Sequence, residues 1–90
     1  METGVHIIIR GVVQGVGFRY YVITHATKLG VGGYVRNLPD GDVEIEASGE
    51  RSLIEEFISI IKIGPLSAHV TEVAIEWKKP DNQYEYFEIW

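Results

Sequence analysis

Ninety residues with 46% hydrophobic content suffice for one compact core, and the absence of cysteine excludes a disulfide framework, a thiolate nucleophile and a metal site built on sulfur. The formal net charge of −5 argues against nucleic acid and anionic membrane as partners, since both are bound through surplus Lys and Arg. An anionic small molecule is compatible with that charge only at a site made locally positive.

The opening METGVHIIIRG lacks the basic segment and long apolar stretch of a secretory signal, and Ile7 to Ile9 is far too short to span a bilayer. With the missing cysteines this points to the cytoplasm. Val5 to Arg10 is rich in β-branched residues and is expected to be a strand. It runs into Gly11-Val12-Val13-Gln14-Gly15-Val16-Gly17, a loop whose three glycines allow unusual backbone angles or close approach to a ligand. From Phe18 to Leu29 the period becomes helical, with Phe18, Val22, Ala26 and Leu29 on one side and Tyr20, Thr24 and Thr27 on the other. Gly30 stops this helix, and Gly32-Gly33 precede a strand over Tyr34 to Asn37.

Leu38-Pro39-Asp40-Gly41-Asp42 carries a Pro-Asp-Gly turn signal and is expected to close a hairpin. Beyond it, Val43, Ile45 and Ala47 alternate with Glu44, Glu46 and Ser48, the pattern of a strand with one buried and one wet face. Arg51 to Ile63 forms a second helix with Leu53, Phe57, Ile60 and Ile61 on its apolar arc, ended by Gly64-Pro65. Val70 to Trp77 is a fourth strand, and the polar run Lys78 to Gln83 leads to a short fifth one over Tyr84 to Ile89. No repeat or linker divides the chain, so residues 1–90 are expected to be a single domain. Two helices that each link non-consecutive strands favour an α+β, ferredoxin-like split-βαβ sandwich: an antiparallel sheet with both helices on one face.

The chemistry is expected where the first strand turns into the first helix. A glycine-rich loop that opens a helix aims several backbone N–H groups at one point, with the positive end of the helix dipole behind them. Arg19, in the first turn, adds a planar fork of donors that suits two phosphate oxygens. On its own such a loop reads first as a tight strand-to-helix connection beside a surface arginine, and only second as an anion site. It is not a Walker loop, because no Lys-Ser or Lys-Thr pair follows the glycines, and its spacing is not that of a dinucleotide-binding unit.

Two stretches narrow the choice. Ile9-Arg10-Gly11-Val12-Val13-Gln14-Gly15-Val16-Gly17-Phe18-Arg19 resembles the first signature of the acylphosphatases, with every fixed position filled. Gly33-Tyr34-Val35-Arg36-Asn37, followed by Gly41, Val43 and Gly49, resembles the second, and Gly64-Pro65 with Ala68 and Val70 and the ending Phe87-Glu88-Ile89 are also similar. The resemblance implies a ferredoxin-like fold and hydrolysis of the carboxyl-phosphate bond of an acyl phosphate to carboxylate and inorganic phosphate, with no metal or cofactor. By position it makes Arg19 the phosphate-binding arginine and Asn37 the water-orienting asparagine. The backbone N–H groups of Gln14, Gly15, Val16, Gly17 and Phe18 then form the phosphate cradle. Tyr34 stands where a tryptophan is frequent. Such a site needs no general acid, because the leaving carboxylate is already a stable anion near neutral pH, and phosphoryl transfer depends mainly on positioning and charge stabilisation.

The other polar residues have blander readings. His6, His25 and His69 show no metal-ligand spacing and are assigned structural places. Glu44 and Glu46 are read as a solvated face, and Arg36 as a surface charge pointing away from Asn37. The terminal carboxylate of Trp90 is a possible partner for Arg19. A non-enzymatic phosphate-binding or regulatory module is the alternative function, and Asn37 argues against it. The ferredoxin-like fold also carries RNA-recognition modules, but the aromatic-rich strand motif and basic surface they need are missing here. A monomer is expected, although edge strands of this fold can pair.

Overall fold

The computed structural model describes residues 1–80 and 84–90. Its elements are β1 (Glu2–Val12), α1 (Phe18–Leu29), β2 (Gly32–Asn37), β3 (Val43–Glu50), α2 (Arg51–Ile63), β4 (His69–Lys78) and β5 (Phe87–Ile89). The strands form one sheet in the order β4-β1-β3-β2-β5. Helix α1 carries the chain from β1 past β3 to β2, and α2 carries it from β3 past β1 to β4, which is the split-βαβ arrangement.

The sheet is mixed rather than wholly antiparallel. Strands β1 to β4 pair antiparallel, but β5 runs parallel to β2, with Gly33, Tyr34 and Val35 opposite Phe87, Glu88 and Ile89. The expected fifth strand over Tyr84 to Ile89 is shorter at its start. There the chain still bends, and Tyr86 accepts a bond at its carbonyl from the Gly33 N–H at 3.0 Å. Of the expected polar run, Asp81, Asn82 and Gln83 lie outside the described residues. Strand β1 continues beyond Arg10 because β4 accompanies it through a register shift between Arg10 and Gly11.

The core lies between one face of the sheet and the two helices. Val5, Ile7 and Ile9 of β1, Val35 of β2, and Val43 and Ile45 of β3 are fully buried there, beneath Phe18, Val22 and Ala26 of α1. From α2 the buried residues are Ile54, Phe57, Ile58 and Ile61. Leu53, expected on that arc, is exposed, because the helix is rotated so that Ile54 and Ile58 face the sheet. Phe57 meets Phe87 edge-on, with ring centroids 5.9 Å apart. Helix α1 ends on Gly30 in the left-handed region, and the Val31 N–H reaches back to the Ala26 carbonyl at 2.9 Å, which satisfies an orphan carbonyl of the last turn. Helix α1 packs over β2 and β5, while α2 packs over β3, β1 and β4.

Candidate active site

The glycine-rich loop starts as β1 leaves the sheet. Val13 is buried and anchors the exit, and the next four residues bend without forming a turn of their own. Gly15 and Gly17 take φ of 74° and 78°, and a Cβ at either would meet no heavy atom within 4 Å. The requirement for glycine is therefore conformational: the backbone is left-handed while the space in front of it is open. Gly17 is the N-cap of α1 and makes no side-chain capping bond. Among the described residues, the backbone N–H groups from Gln14 to Phe18 find no acceptor. Unclaimed donors at the positive end of a helix, around a curved and open backbone, are what an oxyanion needs.

Asn37 is the last residue of β2. It is paired with Val43 of β3, which is paired with Ile9 of β1, so the three lie in one row across the sheet. Neighbours in a row share a face, and Ile9 and Val43 point into the helix-covered core. Asn37 therefore points to the side of the sheet on which α1 begins. Two strand spacings, about 10 Å, separate its backbone from that of β1 just before the loop. Its Oδ1 is buried and has no hydrogen-bond partner among the described residues, an arrangement that is costly unless a ligand or water completes it.

The loop and the hairpin that follows Asn37 are tied together by a side chain. Gln14 Nε2 donates to the carbonyls of Leu38 at 2.9 Å and Asp42 at 2.8 Å, the two residues at the hairpin neck. The neck is closed by the Leu38 N–H on the Asp42 carbonyl at 2.8 Å. The family resemblance implies only a backbone role for Gln14. A lone polar side chain in a loop carries no signal of which distant carbonyls it will reach, so the tether was not legible.

The four arginines sort themselves by partner. Arg10 donates to Asp42 at 3.2 Å and Glu72 at 2.7 Å; Arg36 donates to Glu44 at 2.5 Å; Arg51 donates to Glu55 at 3.3 Å and lies over the Trp77 ring at 3.9 Å. Arg19 is half-buried and has no hydrogen-bond or ion-pair partner among the described residues. Among the described residues the Trp90 carboxylate makes no ion pair with Arg19; the Trp90 indole is stacked on Tyr34 with ring centroids 3.9 Å apart. Asp42, whose carbonyl accepts from Gln14, is paired through its carboxylate with Arg10. The site is thus locally positive in a chain that is negative overall.

On the opposite face, Glu44 and Glu46 are not the solvated pair expected from alternation. Glu44 accepts bonds from His6 at 2.9 Å, Tyr34 at 3.1 Å and Arg36, and Glu46 pairs with Lys78. Only 13% and 10% of their side chains stay exposed, because neighbouring strands supply partners long enough to cover them. Burial alone raises the Glu44 carboxyl pKa, but the donors from His6, Arg36 and Tyr34 outweigh it, and the net pKa is below the usual value. Among the described residues, no three His, Asp or Glu side chains are grouped so as to hold a metal ion.

Comparison with known proteins decides the family. The acylphosphatase family pattern matches residues 5–89. The chain belongs to the acylphosphatase family. An acylphosphatase from Caldanaerobacter subterraneus is 46% identical over the full length of both chains, and one from Caldivirga maquilingensis is 52% identical over 80% of this chain and 77% of its own. The crystal structure of the Bacillus subtilis acylphosphatase superposes with a TM-score of 0.94 at 36% identity, covering 99% of this chain and 98% of that one. As an acylphosphatase the chain is a hydrolase of acyl phosphates, releasing a carboxylate and inorganic phosphate.

Proposed function

We propose that the backbone N–H groups of Gln14, Gly15, Val16, Gly17 and Phe18, together with the Arg19 guanidinium, hold the phosphoryl group. Asn37 orients the water that attacks it. Charge spread over three equatorial oxygens in the transition state meets donors already in place, so little reorganisation is needed at the moment of reaction. The water attacks phosphorus in line and the P–O bond to the acyl group breaks. The electron pair leaves on the carboxylate oxygen, and the water's proton passes to a phosphate oxygen. Asn cannot accept a proton at this pH, so Asn37 positions the water and does not act as a base.

The observation that carries this reading is the unpartnered Oδ1 of Asn37. It is an acceptor, and a phosphate dianion has no hydrogen to give it; a water molecule has two. The reading also holds that the 90 residues act as one domain, as a monomer in the cytoplasm and without a metal; among the described residues no helix is long and apolar enough to cross a membrane.

Hydrolysis of acetyl phosphate is the direct test. Turnover should be unchanged by EDTA, and a stable phosphate monoester should survive. Asn37→Ala should lower kcat by about 100-fold or more, the loss typical of one preorganised polar group in a closed site, with little change in KM. A raised KM at unchanged kcat would make Asn37 a substrate binder and refute the assignment.

A further inference from the structure

The side of the cradle that receives the departing acyl group follows from where the other groups stand. Successive helical residues turn by about 100° around the axis, so Arg19 and Tyr21 lie on nearly opposite flanks of α1. Tyr21 faces α2, because its hydroxyl donates to the Ile60 carbonyl at 2.9 Å. Arg19 therefore projects from the flank away from α2. Asn37 lies on β2, the strand that α1 covers. Both groups assigned to the reaction thus approach from the β2 side, and in-line attack sends the leaving group toward the other.

What stands there is the turn that follows α2. It is closed by the Ala68 N–H on the Pro65 carbonyl at 2.9 Å, with Leu66 and Ser67 at its tip. Gly64 places it against the start of α1: a Cβ there would come within 3.0 Å of Phe18 Cε2, the ring next to Arg19 in sequence. Leu66 at the tip is 104% exposed. An exposed leucine alone is ordinary. Here it is carried on a short, hydrogen-bonded turn packed against the first residue of the phosphate-binding helix, on the flank where the leaving group must emerge.

We propose that the Gly64–Ala68 turn is the acyl subsite and that Leu66, through contact with an apolar or aromatic acyl group, is its specificity-determining residue. The proposal rests on the placement of phosphate and water given above. A large apolar acyl group gains by covering Leu66, whereas an acetyl group has only one methyl to offer such a contact. Because Leu66 supports nothing in the fold, its replacement leaves the protein folded.

The test compares kcat/KM for benzoyl phosphate and acetyl phosphate, with inhibition by inorganic phosphate as a readout of the cradle. Leu66→Ser should lower kcat/KM for benzoyl phosphate about 5-fold, a modest value suited to an apolar contact on an open rim. Acetyl phosphate turnover and the phosphate inhibition constant should stay within about twofold. Leu66→Phe should preserve or increase the ratio of benzoyl to acetyl kcat/KM. Equal losses on both substrates, or no loss on either, would overturn the subsite while leaving an active enzyme and the phosphate site intact. Failure of the unaltered protein to hydrolyse either substrate would instead bring down the placement on which the subsite rests.

Discussion

Arg19 is distinguished less by its position than by what it does not touch. Arg10, Arg36 and Arg51 are each engaged by carboxylates, whereas Arg19 has no such partner among the described residues. Its five donors in a rigid plane can grip two phosphate oxygens at once; a lysine offers one compact charge on a flexible stem. Arg19→Lys is therefore expected to lose nearly as much kcat/KM as Arg19→Ala, both falling by about 1000-fold as judged from losses of charged transition-state contacts. Near-normal turnover of the lysine variant in a phosphate-release assay would remove the guanidinium fork from the mechanism. The place of Arg19 in the first turn of α1 and the left-handed Gly15 and Gly17 were legible in the sequence because they have local causes, a helix start and backbone angles that glycine adopts most readily. The unsatisfied Oδ1 of Asn37 was not. Whether a buried amide finds a partner depends on every chain segment that passes it.

At the scale of elements, the site is an agreement between two loops on different strands, and Gln14 is the tie between them. In the Gln14→Ala variant both hairpin carbonyls keep a backbone donor, from Leu38 to Asp42 and from Gly41 to Leu38 at 3.2 Å, so the hairpin itself should survive. Two neutral hydrogen bonds at about 1 kcal/mol each set the stability loss at about 2 kcal/mol, or roughly 8–16 °C in Tm for a domain of this size. The cradle would no longer be fixed relative to Asn37, so kcat should fall more than the phosphate inhibition constant rises. If steady-state kinetics show the reverse, Gln14 serves the cradle alone. The element order was readable because helical and strand periods alternate cleanly along the chain. The rotation of α2 that exposes Leu53 was not, since a run as apolar as Ile58 to Ile61 offers more than one arc and packing on the sheet selects among them. Nor was the direction of β5, because three residues reveal no pairing partner until the edge of β2 is in place.

Over the whole molecule, thirteen acidic against eight basic side chains should repel, yet the sheet face away from the helices interleaves the two signs. Glu44 sits at the middle of that face, bonded across three strands to His6, Tyr34 and Arg36. Its depressed pKa means that its contribution to stability is present above about 4.5, the usual value, and is lost as pH falls through the lower folded value. Tyr34 is shifted the other way: burial first, then the charge of Glu44 and the bond to it, push its pKa from 10.0 to about 12. A raised acid favours the folded state while it stays protonated, so this contribution is complete below pH 10 and disappears as pH climbs to about 12. Urea unfolding from pH 3 to 12 should therefore show a plateau with a fall at each end. In Glu44→Gln the acidic fall should shrink and the plateau should drop by about 1–3 kcal/mol, the loss expected for bonds to a charged group. In Tyr34→Phe the part of the alkaline fall between pH 10 and 12 should vanish while the acidic limb remains. Because Tyr34 and Glu44 lie across the sheet from Asn37, the phosphate inhibition constant at neutral pH should be the same in both variants as in the unaltered protein. An acid limb in Glu44→Gln as steep as the original would assign the loss at low pH to other carboxylates.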